Sequence, residues 1–249
     1  MQKISAMKLA RWANAEELPV EGMCLVHDSA DLPESLAGVT VVLGNGAEAR
    51  VAELLARGAE RVLLGDLALL DSSAVERLVA QHGGERIGIW VRSARTDISW
   101  VLADEAPAAG FKCMMPSVGV AGWDVLKSDG SRTGTGTEWW IGQMLGMGVS
   151  TVLVSTDLED RDLNICAKLI LDHGDKLWFS PRREPDADLE PWVRWGQVRQ
   201  LVLPAPNRRD EAEMARVCAP AMVMVEDEKE DVVAEASGAE GGSEPAVQA

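Results

Sequence analysis

Eight short apolar runs punctuate the chain: KISAM (3–7), MCLVH (23–27), VTVVL (39–43), RVLLG (61–65), IGIWV (87–91), TVLVS (151–155), LWFS (177–180) and LVLP (201–204). Several are apolar at consecutive positions rather than alternate ones. That is the pattern of a strand covered on both faces. Stretches with helical spacing lie between them, so strand and helix alternate, which is the signature of a parallel α/β fold.

The pattern also repeats. LLARGAERVLLGD (54–66), MLGMGVSTVLVST (144–156) and WVRWGQVRQLVLP (192–204) each read as a helix end, a glycine and a buried strand. The glycines, Gly58, Gly148 and Gly196, are placed to supply a left-handed C-cap that turns a helix back onto a sheet. LVAQHGGERIGIWV (78–91) and LILDHGDKLWFS (169–180) form a second, interleaved repeat. Repeated units, eight strands and about 220 folded residues predict a (β/α)8 TIM barrel.

Two places break the spacing. LPESLAG (32–38) has room for no more than a turn of helix. The stretch at about 93–137 is too long for one loop, and ISWVL, FKCMM and VGVAGWDV within it predict added strands or a hairpin. An insertion after the C-terminal end of a barrel strand falls on the functional face. SRTGTGT (131–137) lacks the Gly-Lys-Ser/Thr ending of a P-loop and reads as a lid or a helix entry. RRDEAEMARVCA (208–219) reads as the closing helix of a single domain spanning 1–225.

One turn leaves a competing architecture open. Gly44-Asn45-Gly46-Ala47-Glu48-Ala49 fits the G-x-G-x-x-G/A dinucleotide pattern, and Asp66 follows near the expected offset. It is either the nucleotide cradle of a Rossmann-like protein or a phosphate-binding turn of another α/β fold.

Of the 249 residues 47% are apolar, and the formal net charge is −16. The charge is uneven. Residues 226–249 hold eight acids against Lys229 alone, an acidic tail with little to bury. So acidic a body argues against nucleic acid as a partner, because neutralising phosphates takes clustered Lys and Arg. No run approaches the length of a membrane span and the N-terminus has no signal-peptide core. Cys24, Cys113, Cys166 and Cys218 lack ligand or disulfide spacing. A cytoplasmic protein with no metal, no cofactor and no membrane partner is expected.

The stretches around the third, fourth and sixth strands carry a resemblance. VLGNGAEA and VLLGDLALL, then VGVAGWDVLKSDG (118–130) and VLVSTDLEDRD (152–162), resemble motifs of the ProFAR isomerases. Those barrels of histidine biosynthesis open the ribose ring of a phosphoribosyl-formimino intermediate. The resemblance covers most of residues 1–205 and implies a TIM barrel with phosphate sites at its C-terminal mouth. It also implies an acid–base pair of aspartates at the ends of strands one and five. Here Lys8 stands at the first position and Trp90-Val91-Arg92-Ser93 at the second, so both acids are missing. An ammonium and a guanidinium do not replace two carboxylates in proton transfer.

Asp28, Asp66 and Asp157 remain as candidate catalytic acids. The first phosphate site is preserved in Gly44, Asn45, Gly46 and Gly65. At the second, Pro181 and Pro204 remove amide donors, leaving Arg182 and Arg183 to hold an anion by side chain. Lys8, Arg92 and Thr156 complete the expected ligand contacts. His27, beside Asp28, is the one histidine placed for chemistry. The expected function is binding of a phosphorylated or anionic small molecule. The alternative is a non-catalytic pseudoenzyme docking a protein partner through the insertion and exposed tryptophans.

Overall fold

The computed structural model describes residues 7–18, 22–96, 100–102, 114–116, 122–184 and 187–204. Eight of its strands are parallel neighbours in one ring: β1 (Lys8–Trp12), β2 (Cys24–His27), β3 (Val39–Leu43), β4 (Arg61–Leu64), β5 (Ile87–Arg95), β10 (Thr151–Thr156), β11 (Leu177–Pro181) and β12 (Gln200–Leu203). Val152 pairs with Ile89 and Lys8 with Gln200, which closes the sheet on itself. Closure makes the chain a (β/α)8 barrel and excludes the doubly wound Rossmann sheet, which keeps two open edges.

The helices follow their apolar spacing. In α1 (Glu48–Ala56) the buried residues are Val51, Leu54 and Leu55, three and four apart, so one stripe faces the sheet. Strand β4 is followed by α2 (Asp66–Leu70) and α3 (Ser72–His82), and Asp71 caps α3 by accepting from the Ala74 amide. Helices α4 (Thr137–Gly146), α5 (Leu163–His173) and α6 (Glu190–Arg194) precede β10, β11 and β12. No helix joins β2 to β3, as the short LPESLAG segment predicts. Gly58 and Gly148 take φ of +94° and +92°, the left-handed turn the repeat predicts. The third repeat differs: there Gln197 has the positive φ of 59°, while the space a Cβ would need at Gly196 is taken by the Trp192 carbonyl oxygen at 2.7 Å.

Inside the barrel Ala10, Leu25, Val42, Leu63, Leu153, Trp178 and Val202 pack together, one from each of seven strands. Because side chains alternate across a strand, this layer fixes which later residues reach the mouth.

The insertion is strand-built. Strand β5 runs on past the barrel to Arg95 and pairs antiparallel with β8 (Trp123–Leu126), which pairs with β9 (Arg132–Gly136). A separate pair, β6 (Trp100–Leu102) and β7 (Met114–Pro116), is also antiparallel. The SRTGTGT segment is therefore a strand leading directly into α4, rather than a lid. Ser93 and Thr137, at the two ends of the insertion, share a buried hydroxyl hydrogen bond of 2.9 Å. Buried Asp162 accepts from Arg95 and from Trp123 Nε1, fastening β5 and β8 to the start of α5. The predicted closing helix and acidic tail lie outside the described residues, as do Cys113 and Cys218.

The first strand is displaced from its expected place at 3–7. Strand β1 starts at Lys8, whose amide donates to the Arg199 carbonyl. Lys8 thus sits at the N-terminal end of the barrel, opposite the mouth. Trp12 ends the strand instead.

Candidate functional site at the barrel mouth

An open cavity of about 490 Å³ lies at the C-terminal ends of the strands. That volume is within the range of small-molecule sites, about 300–1,000 Å³. Its lining is aromatic and cationic: Trp12, His27 and Trp90 with Arg92, Arg182 and Arg183. Among the described residues, no carboxylate lines it.

The aromatic side is an ordered row. Trp12 stacks on His27 at 4.4 Å between centroids and 15° between planes, and Trp90 meets the other side of His27 edge-on at 5.3 Å. Both indole N–H groups are taken up by inward serines: Trp12 Nε1 donates to Ser180 Oγ at 2.9 Å and Trp90 Nε1 to Ser155 Oγ at 2.8 Å. Burial, and then the charge of Arg92, hold the His27 pKa below its usual value. Neutral imidazole is therefore the form that fits between the two rings.

The cationic side is built from two places. Arg92 extends from β5 with its guanidinium 5.6 Å from the Trp90 ring centroid, and it donates to the carbonyls of Lys127 and Ser128 in the β8–β9 turn. Arg182 and Arg183 follow β11 and converge on Asp157. The Asp157 carboxylate accepts from both their amides, at 3.1 and 2.8 Å, and from Arg183 Nε at 2.7 Å. Arg182 Nη2 lies 3.0 Å from it. Burial works against the Asp157 carboxylate, but its hydrogen bonds with Arg183 and the charges of both arginines outweigh this and hold its pKa low. At Arg182, burial works most against the charge, Asp157 supports it, and Arg183 and Arg92 oppose it; the net shift is downward. The arginines are close enough to repel one another.

The expected site residues divide sharply. The structure brings Arg92, Arg182 and Arg183 together in the cavity. Lys8 is at the far end of the barrel. Thr156 is buried but does not line the cavity; on β10 the inward residues are Leu153 and Ser155, so Thr156 points away from the mouth. Gly44, Asn45, Gly46 and Gly65 form the turns after β3 and β4, yet none lines the cavity. Gly44 contributes its carbonyl to the Asp66 amide at 2.8 Å. Gly65 is required for contact: a Cβ there would lie 2.7 Å from the Gly44 oxygen. The β8–β9 hairpin sits over this end. Ser128 Oγ donates to Asp66 and to Asn45 Oδ1, and the Ser128 amide donates to Asp66 at 2.9 Å. Asp28 pairs with Arg50 at 2.6 Å. Each candidate acid is thus held by a partner from its own chain.

Trp12, Trp90, Ser155 and Ser180 were not anticipated. Strand parity would have found Ser155 and Ser180, since they follow inward-facing Leu153 and Trp178 by two residues. Among the described residues, no group of three or more His, Cys, Asp or Glu is arranged to hold a metal. Among them, too, no helix is long and apolar enough to cross a membrane.

The fold and its mouth define a TIM barrel with an aromatic, cation-rimmed cavity. No protein-family model matches the sequence, and comparison with curated proteins gives no match. Among solved structures, one named "Native KDPGal structure" is 10% identical with a TM-score of 0.45, covering 93% of this chain and 99% of that one. A designed cage, "Structure of a cube-shaped, highly porous protein cage designed by fusing symmetric oligomeric domains", is 8% identical with a TM-score of 0.43, covering 94% of this chain and 78% of that one. The chain is a barrel by the register of its own strands.

Proposed function

We propose that this barrel binds a phosphorylated or otherwise anionic small molecule at its C-terminal mouth and is a divergent relative of the ProFAR isomerases that no longer performs their reaction. The observation that carries the proposal is the convergence of Arg92, Arg182 and Arg183 on a cavity lined, among the described residues, by no carboxylate. In a chain of net charge −16, a cluster of three arginines in which Asp157 is the one ion-paired carboxylate among the described residues is a local reversal that favours an anion. Three guanidiniums present fixed forks of donors suited to phosphate oxygens.

The loss of the parental chemistry is supported by what occupies the mouth. Ring opening with proton transfer needs a proton donor and acceptor on either side of the substrate. Strand β1 ends in Trp12 and strand β5 presents Trp90 and Arg92, with His27 filling the gap between the two indoles. Asp28, Asp66 and Asp157 are tied to Arg50, Ser128 and the arginine pair. Kinship with the isomerases is supported by the glycine turns after β3 and β4 and by Thr156-Asp157 at the end of the sixth parallel strand.

The test is thermal unfolding of the full chain with added phosphate or sulfate. Either anion raises the wild-type melting temperature, and the R182Q variant does not respond. A wild-type protein indifferent to millimolar anion removes the proposal. In a strain lacking ProFAR isomerase, the gene does not restore growth on minimal medium; robust growth overturns the second half of the proposal.

A non-catalytic scaffold role has one observation in its favour. Trp139 on α4 is 60% exposed while its neighbour Trp140 is buried, and Trp195 is exposed as well. Exposed tryptophans favour protein contact. A protein that co-purifies with wild type and is lost with W139E would support the role; unchanged co-purification counts against it.

A further inference from the structure

We infer that the ligand of the mouth is a phosphomonoester carried on a planar ring, with the dianion against Arg182 and Arg92 and the ring against the indole of Trp12. This rests on the anion-binding proposal above and narrows its ligand class.

The charge of the site sets the anion. Three arginine side chains line the wall, and Asp157 is the one carboxylate ion-paired with them among the described residues, while the charges of Glu159 and Glu184 reach Arg183 and that of Asp129 reaches Arg92. A phosphomonoester carries nearly two negative charges at neutral pH, a carboxylate one.

The rest of the molecule is set by the wall beside the cations. Ser155 of the lining accepts from Trp90, and Ser180 of β11 accepts from Trp12. Those bonds consume the indole N–H groups, so the tryptophans offer a ligand only ring surface. They also hold the rings in place, so little ordering remains to be done on binding. Beside Trp12 the wall continues through Ala13, Pro181 and Pro204, which offer no side-chain donor or acceptor, with the Asn14 amide as the one neutral polar side chain at this edge among the described residues. A flat apolar wall next to a cation cluster fits a planar ring bearing phosphate. Stacking of such a ring on an aromatic side chain contributes about 1–3 kcal/mol in the comparable case of nucleic-acid bases.

Nucleoside monophosphates and simple aryl phosphates share this chemistry, and the test separates them. The full-length protein is titrated calorimetrically with inorganic phosphate, ribose 5-phosphate, phenyl phosphate, adenosine 5′-monophosphate and benzoate. Phenyl phosphate is expected to bind at least tenfold more tightly than inorganic phosphate, ribose 5-phosphate or benzoate. Adenosine 5′-monophosphate above phenyl phosphate points to nucleotides, and below it to aryl phosphates; either order agrees with the inference. The W12L variant loses the tenfold preference but keeps the affinity for inorganic phosphate, and W12F keeps both. The wild-type ranking needs no variant, so a W12L protein that fails to fold leaves the test decisive. Ribose 5-phosphate matching phenyl phosphate overturns the inference while anion binding stands. Silence from every probe, inorganic phosphate included, overturns the anion-binding proposal itself.

Discussion

Replacing Asp157 by asparagine removes one negative charge from the centre of the arginine cluster and keeps the shape of the side chain. The amide oxygen can still accept from the backbone N–H groups of Arg182 and Arg183, now at 3.1 and 2.8 Å. What disappears is the charge opposite two guanidiniums. The Arg183 side chain is 72% exposed, so its share of the loss is small. Arg182 is different: its side chain is 14% exposed, its pair with Asp157 spans 3.0 Å, and Arg92 and Arg183 already repel it. A charged hydrogen bond of this kind contributes about 1.5–3 kcal/mol, and removing one partner of a buried pair costs about 3–5 kcal/mol. The site is only partly enclosed, so a destabilisation of about 2–3 kcal/mol is expected. For a chain of this length that lowers the melting temperature by roughly 4–12 °C. The pH dependence gives a second measurement. The folded Asp157 has a lowered pKa, so its stabilisation is fully present above the unfolded value of about 3.9. It is lost as pH falls through the lower folded value. Denaturant unfolding should therefore show a gap between wild type and D157N at neutral pH that closes only in strong acid. A gap under about 0.5 kcal/mol at neutral pH, within the range of an ordinary surface substitution, refutes the account. So does a gap that persists unchanged once the carboxylate is protonated.

Three further substitutions probe the same end of the barrel. G65V drives a Cβ to within 2.7 Å of the Gly44 oxygen, a backbone atom that cannot swing away. It should cost at least about 2 kcal/mol in denaturant unfolding, within the span seen for overpacking; an unchanged midpoint contradicts the contact. His27 has a lowered folded pKa, so its contribution is complete above the unfolded value of about 6.5 and declines as pH drops below it, levelling off under the folded value. NMR titration of its ring should give a midpoint below 6.5, and H27N should lack that part of the acid destabilisation; a midpoint at or above 6.5 counts against burial between the tryptophans. S128A removes the hydroxyl bonds to Asp66 and Asn45, so hydrogen exchange should quicken at residues 127–131 with little change in overall stability; unchanged exchange would mean that Arg92 and the amide of residue 128 hold the turn without the hydroxyl.

The barrel was legible because its cause is local and repeated. Consecutive apolar positions mark strands buried on both faces, and the spacing of Val51, Leu54 and Leu55 marks a helix that covers them. Those patterns survive in one dimension, and seven of the eight expected strands lie where the apolar runs place them. The first does not. KLARW carries two cations in five residues, so it looks less like a buried strand than KISAM, and the shift carried Lys8 from one end of the barrel to the other. The insertion was visible as excess length, while its pairing with β5 was not, because antiparallel partners are chosen by contacts between distant segments.

The mouth depended on the tertiary structure in a stricter way. A strand presents alternate residues to opposite faces, so an error of one position exchanges Thr156 for Ser155. The glycine turns kept their sequence signature, yet Ser128, more than sixty residues away, covers them. Whether an aspartate is a free acid or the partner of an arginine depends on which side chains the closed ring brings within about 3 Å, and Arg50, Ser128 and Arg182 reach theirs only after closure. Sequence spacing determines which residues reach the rim of this barrel. The register and shear of the closed sheet decide that Trp12, His27 and Trp90 meet there and that three arginines stand beside them.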